Sequence, residues 1–230
     1  MTEYEAMIAR HSVRQYIDKP LDAETVQTLQ TAVDEANAAS GLHIQQVTEE
    51  PNAFDSGLAH YGRFRGVRNY FAVCGAKGAD AQELAGYYGE RLVLLAQTLG
   101  LNTCWVALPF SKRKAQFSLD AGEKLIIMIS LGYGENQGAP HKSKTADKVA
   151  QVHGETPQWF ADGVAAALTA PTAVNQQKFH FELTGDTDSA TGKPVVVATA
   201  LRGNQTRTDL GIAKYHFEIG AGEDTFTWAS

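Results

Sequence analysis

Cysteine is nearly absent: the 230 residues contain two, Cys74 and Cys104. Both sit in apolar runs, Phe71-Ala72-Val73-Cys74 and Cys104-Trp105-Val106, so they read as buried thiols. Their number and spacing suit neither a disulfide framework nor a zinc site, and such usage fits a reducing compartment. Long hydrophobic runs are missing too, since none approaches the roughly 20 apolar residues that span a bilayer. The opening Met1-Thr2-Glu3-Tyr4-Glu5 has no basic stretch leading into an apolar one, so no export signal is expected. Positive charge is in deficit. With 20 Lys and Arg against 26 Asp and Glu, the net charge is -6, which argues against a partner held mainly by phosphate neutralisation, whether nucleic acid or anionic membrane. Serine nucleophiles with a base, metal-spaced histidines and carboxylate pairs are also lacking. His60, His153, His180 and His216 are scattered and read as surface or core residues. A soluble, cytoplasmic protein without a metal is the expectation.

Hydrophobic content of 43%, charged content of 20% and no long polar tract make the chain globular. Its length suits one large domain or two small ones. One short stretch carries chemistry: Arg10-His11-Ser12-Val13-Arg14. Two guanidinium forks flank a hydroxyl there, and planar paired N–H donors around a hydroxyl and turn amides suit a phosphate dianion, with His11 as a further donor. By itself the stretch reads more simply as a solvated polar turn, because such short motifs recur by chance.

Local signals organise the rest. Thr2 with Glu5 has the form of a capping box before a short helix that delivers Arg10. Val26, Leu29 and Val33 predict a second helix reaching about Asn37, and His43 to Val47 a strand. Residues 49–65 read as a loop with substrate-facing positions, as does the region around 110–118. Arg63, Arg65 and Arg68 read as a solvated basic face. Strands follow at Asn69 to Cys74, Thr103 to Leu108 and Lys124 to Gly132. Between the first two, Ala81 to Leu99 predicts a helix buried on nearly all sides, with Leu84, Tyr87, Tyr88, Leu92, Leu95 and Leu99 on one side and Val93, Leu94 and Ala96 filling in, closed by Gly100 in a Schellman-type cap. The basic segment Pro140-His141-Lys142-Ser143-Lys144 reads as a linker, with a soft boundary near residue 150. Beyond it, Thr156-Pro157 reads as an N-cap and first helical residue of a helix to Leu168. Strands at Lys178 to Leu183 and Pro194 to Leu201 precede a helix over Thr208 to Ile219, and Phe226 to Trp228 closes the chain. A faint echo links the two parts. A helix running into Ala36 to Gln45 and a strand is repeated by one running into Ala170-Pro171-Thr172-Ala173-Val174-Asn175-Gln176-Gln177 and a strand.

Together these motifs resemble the FMN-dependent nitroreductase family. Its members open with an R-[RH]-S-x-R turn and carry an A-P-S-x-x-N-x-Q turn. They also have a buried helix ending in L-G-L before a strand, and a late L-G-Y followed by K-x-[KR]. Here these stand as Arg10 to Arg14, Ala170 to Gln177, Leu99-Gly100-Leu101 with Trp105, Leu131-Gly132-Tyr133 and Lys142-Ser143-Lys144. The order departs from the family pattern, where the amide-bearing turn lies early and reaches the flavin of the other subunit. In this chain the early copy has decayed and the intact one lies downstream.

The resemblance implies an α+β nitroreductase-like fold: a mixed central sheet flanked by helices, with a long buried central helix. Residues 1–150 would form the FMN-binding core and 151–230 a pseudo-repeat imitating a second subunit, as in a single-chain pseudo-dimer. Arg10, His11, Ser12 and Arg14 would hold the phosphate with Lys142 and Lys144. Pro171, Thr172, Ala173, Asn175 and Gln177 would line the isoalloxazine or ribityl chain, and Ala107 and Leu108 would stand near flavin N5. No side chain is implied as catalytic. The implied partners are NAD(P)H and a small electron acceptor such as a nitroaromatic or quinone, served by a ping-pong mechanism in a monomer able to complete its own site, or in a homo-oligomer. Two other readings remain open: an FMN-binding sensor or storage protein without NAD(P)H turnover, and a non-flavin phosphate-binding domain.

Overall fold

The computed structural model describes residues 1–55 and 57–229, without the side chains of Leu58 and His60; the expectation for His60 lies outside the described residues. The chain divides into two compact units, Met1–Pro140 and His141–Ser230. The division precedes residue 150 because the basic segment is tied to the second unit. The Leu168 carbonyl is bonded by both His141 Nε2 (3.0 Å) and Ser143 Oγ (3.0 Å).

The first unit runs α1 (Glu3–Ala9), α2 (Ala23–Ser40), β1 (His43–Val47), α3 (Gly57–Tyr61), β2 (Asn69–Ala76), α4 (Ala79–Thr98), β3 (Asn102–Val106) and β4 (Glu123–Gly132). Its start is set locally. The Thr2 hydroxyl accepts from the Glu5 amide at 3.2 Å, while the Glu5 carboxylate accepts from the Thr2 amide at 2.7 Å. The four strands lie in the order β1-β2-β4-β3, every pair antiparallel. The expected mixed sheet is therefore not found in this unit, since every strand runs opposite to the one it pairs with.

One face of the sheet carries α4, which touches β2, β3 and β4. The other is covered by residues such as Val13, Tyr16, Phe54, Ala59, Phe64 and Val67. Strand β2 is thus buried along nearly its whole length, which is why it reads as a continuous apolar run. Residues 49–65 differ from the expected open loop. They contain α3, and Ala53, Phe54, Ala59 and Phe64 are buried, so the segment is part of the core. Its arginines are used in place: Arg65 pairs with Glu135, and Arg68 with Asp18 and Glu49.

Helix α4 is buried on several sides, as expected, but its most enclosed strip includes small residues. Of the large residues Leu92 is buried, Tyr87, Tyr88, Leu95 and Leu99 are half-buried and Leu84 is exposed, while Gly86, Gly89, Glu90, Val93, Leu94 and Ala96 are buried. The reason is close approach. A Cβ on Gly89 would lie 2.5 Å from Trp105 Cη2, so glycine lets the helix rest on the indole of β3. The helix ends as its sequence predicts, with Gly100 at φ 78 and the buried Leu101 donating its amide to the Ala96 carbonyl at 2.9 Å.

The second unit contains β5 (Ala150–Val152), α5 (Gln158–Ala167), β6 (Phe179–Thr187), β7 (Pro194–Ala200), α6 (Thr206–Ala221) and β8 (Thr227–Trp228). Here the sheet is mixed, with β5 parallel to β6, β6 antiparallel to β7, and β7 parallel to β8. Helix α5 begins one residue later than expected. Pro157 stands at the N-cap, and Thr156 makes no cap. Helices α5 and α6 pack through glycines: a Cβ on Gly220 would meet Ala166 Cβ at 2.5 Å, and one on Gly163 the Phe217 ring at 2.9 Å. Phe160, Phe181, Phe217, Phe226 and Trp228 form a connected aromatic core, adding edge and tilted contacts to the burial of large apolar surfaces. No helix among the described residues is long and apolar enough to cross a membrane.

Candidate functional site

In the first unit the Arg10–Arg14 turn leaves α1 and is pinned to the sheet. The Val13 amide donates to the Thr103 carbonyl at 2.9 Å, and Ser12 bridges Thr103 in parallel fashion. Gly138, at φ 71, lies over the turn so closely that a Cβ there would be 2.7 Å from His11 Cβ. The two arginines part ways. Arg14 is exposed, its guanidinium 5.9 Å from the centre of the Phe64 ring.

Arg10 is buried, with its Nε 3.8 Å from Glu90 Oε1 on α4. Glu90 is fully buried and also accepts from Trp105 Nε1 at 2.9 Å. Among the described residues no atom accepts a hydrogen bond from Arg10 Nε, so its contact with Glu90 is electrostatic. The Cys104 thiol beneath the turn is pushed up by burial, against the pull of Arg14, Ser12 and Arg10. Three turn residues therefore act on one point. The other thiol, Cys74, is pushed up by burial to about 12, so neither is a ready nucleophile.

In the second unit the structure brings Lys142, Lys144, Thr172, Asn175 and Gln177 together. Asn175 Nδ2 donates to the Lys142 carbonyl at 2.9 Å, and the Gln177 side-chain amide reaches both that carbonyl (3.2 Å) and Asn175 Oδ1 (2.9 Å). The Lys144 amide donates to Gln177 Oε1 and its ammonium to the Gln177 carbonyl, each at 2.8 Å. Thr172 Oγ1 accepts from the Gln177 amide at 3.0 Å. Lys144 gives one of its three ammonium donors to the loop, and both Lys142 and Lys144 are exposed.

The loop itself is strained. Val174, Asn175 and Gln177 have φ of 48, 54 and 44, a region that side chains with a Cβ rarely occupy. Val174, β-branched and so least suited to it, is 96% exposed. Pro171 and Ala173 flank this crest, half-buried. Ala107 and Leu108 lie just past the end of β3 in the first unit, and Leu108 is 77% exposed.

The family model described as "Putative TM nitroreductase" matches residues 2–221. The chain belongs to that nitroreductase family. Among solved structures, a "putative nitroreductase" from Thermotoga maritima aligns at 20% identity and TM-score 0.66, over 97% of this chain and 85% of that one. A nitroreductase in complex with FMN from Desulfovibrio desulfuricans aligns at 19% identity and TM-score 0.51, over 65% and 95%. A Bacteroides thetaiotaomicron protein named as an NADH dehydrogenase/NAD(P)H nitroreductase gives 19% identity and TM-score 0.50, over 65% and 96%. At such identities the likeness establishes the α+β nitroreductase fold. Comparison with curated proteins gave no match.

Three buried carboxylates, Glu50, Glu90 and Asp209, went unread in the sequence, and two of them stand on helices. Glu90 shares a helical face with Gly86, Val93, Leu94 and Gln97, all buried. Asp209 on α6 shares one with Ile212, Ala213 and His216, also buried. An acid inside an apolar stripe was the available signal, since ionisable groups are rarely buried without a partner. A separate group, His43 with Asp120 and Glu123, has ligand atoms within 4.8 Å of one another. The His43 contact at 2.9 Å, followed by the Asp120 amide, holds Glu123 below the usual carboxylate range, which accounts for the group without an ion.

Proposed function

We propose that the chain is an FMN-dependent oxidoreductase that takes hydride from NAD(P)H and passes it to a small acceptor such as a nitroaromatic or quinone. The observation that carries this reading is the Ala170–Gln177 loop. Its backbone is held in a costly shape and its crest presents Val174 to solvent, the arrangement expected where strain serves binding. When bound, FMN supplies the hydride-accepting and hydride-donating centre, its N5.

The protein's part is position and charge. Arg14 and Ser12, with the turn amides, would hold the phosphate, and Arg10 would act from beneath the turn with its charge balanced by Glu90. His11 is a further donor at the turn, and Lys142 adds a cation. Thr172, Ala173, Asn175 and Gln177, set by Pro171 and tied by Lys144, would offer amide donors and acceptors to the ring and ribityl chain. Ala107 and Leu108 would supply backbone N–H and an apolar wall at the reacting edge. On this reading residues 151–230 stand in for a second subunit, and one chain carries one flavin.

The test is the flavin-to-chain ratio after FMN saturation, followed by anaerobic reduction with each nicotinamide. A ratio near one and bleaching by NADH or NADPH are expected, and Ser12→Ala with Arg14→Ala should cut FMN retention at least tenfold. A colourless protein refutes the flavin reading, and bound flavin that neither nicotinamide reduces refutes the oxidoreductase reading.

A further inference from the structure

The crest of the Ala170–Gln177 loop is not held by its own residues alone. Asp209 reaches it from α6, 3% exposed. Its Oδ1 accepts from the Ala173 amide at 2.9 Å and its Oδ2 from Gln176 Nε2 at 2.7 Å. One planar group thus fixes both shoulders of the crest that carries Val174 and Asn175. The Gln176 amide is itself oriented, because Nε2 also donates to the Asn204 carbonyl at 2.7 Å.

We propose that Asp209 is a positioning residue for FMN: its ionised carboxylate holds Ala173 and Gln176 in the geometry that grips the flavin. This rests on the flavin reading above. Both partners are donors, so both oxygens must accept. A proton on either oxygen removes the charge and one of that oxygen's lone pairs and so weakens its hold, and the amide nitrogen of an asparagine would set hydrogen against hydrogen. Turning the Gln176 amide over gives no escape, since its oxygen would then face the Asn204 carbonyl.

Burial pushes the Asp209 carboxyl up to about 6, opposed by the Ala173 amide and then the Gln176 amide, with no cation or second acid contributing. The ionisable groups nearby are engaged elsewhere. Lys144 donates to the Gln177 carbonyl, Lys178 to the Arg202 carbonyl, and His216 bonds Thr169. Arg207 is exposed. The ionised state therefore depends on pH in a range where the protein can be handled.

The experiment is FMN titration of wild type and Asp209→Asn between pH 5 and pH 8. The Kd ratio of variant to wild type should be about 10 at pH 8 and fall toward about 1 at pH 5, as the wild-type carboxyl takes up its proton. The flavin phosphate, which also titrates near pH 6, cancels in this ratio. A ratio that stays at one, or one that is raised but independent of pH, overturns the proposal, the second because it marks a purely structural role. Should the variant not fold, hydrogen exchange at the Ala173 amide of wild-type apoprotein decides. Protection is expected above pH 7 and a loss of about tenfold below pH 5, after correction for intrinsic exchange; unchanged protection overturns the role of Asp209. Wild type that takes up no FMN at any pH removes the flavin reading and the affinity claim with it, while the exchange result still tells whether Asp209 holds the loop.

Discussion

In each unit the segment proposed to contact FMN is set against a buried carboxylate on a helix, and the two carboxylates are partnered differently. Glu90 faces a cation, Arg10, and an indole N–H. Asp209 faces two neutral amide donors. A carboxylate with a counter-charge fixes a framework, because each ion is stranded without the other. A carboxylate held only by neutral donors keeps a charge that burial disfavours, so its hold depends on protonation. The Arg10–Arg14 turn is thereby built as a permanent feature, and the Ala170–Gln177 crest as an adjustable one.

The largest test of that contrast is Glu90→Leu, which leaves Arg10 buried without a counter-charge. It should cost about 3–5 kcal/mol in urea denaturation, and most of this should return in Arg10→Met with Glu90→Leu. A single-variant loss below about 1 kcal/mol would make the pair dispensable and break the comparison.

Next in size is the pH dependence set by Asp209. Its folded carboxyl titrates at about 6, above the ordinary 3.8. In that window the folded state keeps the proton that the unfolded state has lost, so stability is fullest below the lower value and falls as pH rises. The fall across the window is about 3 kcal/mol. Asp209→Asn should lack this slope, gaining on wild type between pH 4 and pH 7 in urea titrations; parallel curves would equate Asp209 with an ordinary acid.

The two helix-to-strand junctions sharpen the contrast with smaller effects of opposite sign. In the first unit only Gly41 and Leu42 separate α2 from β1, and Asn37 closes the junction by bonding both the amide and the carbonyl of Ile44. Gly41 lies at φ 68 in open space, so Gly41→Ala should cost about 1 kcal/mol through the backbone alone. In the second unit residues 168–178 separate α5 from β6, and Val174 stands at φ 48. Val174→Gly should gain about 0.5 kcal/mol while weakening FMN retention. Thermal melts with and without FMN separate the two. A loss of stability at Val174 would mean that the crest is not strained.

The echo between these junctions was visible in the sequence, but the work of each was not. Ala38-Ala39-Ser40-Gly41 looked like a decayed recognition turn; it is a tight, self-satisfied connection. Asn175 and Gln177 are singled out in the sequence by the resemblance of Ala170 to Gln177 to a family motif. That Lys144 braces them instead of standing free came only from the fold, which sets its ammonium 2.8 Å from the Gln177 carbonyl. Residues 49–65 misread for a related reason: a helix as short as α3 shows no period, and its apolar residues are scattered between turn formers.

The sequence by itself determined what is decided within a few residues: the capping box at Thr2 and Glu5, the Gly100 stop, the long helix before β3, the four strands of the first sheet, and β6 and β7 of the second, but not the short edge strands β5 and β8. It also determined the family, because the recognition motifs are short and contiguous. Only the tertiary structure decided which residues of α4 are most enclosed, which arginine of the turn is buried, and that Glu90 and Asp209 are set against the Arg10–Arg14 turn and the Ala170–Gln177 loop. Those outcomes depend on glycine-sized gaps and on partners distant in the chain. A local pattern names the residue but not what the fold sets against it.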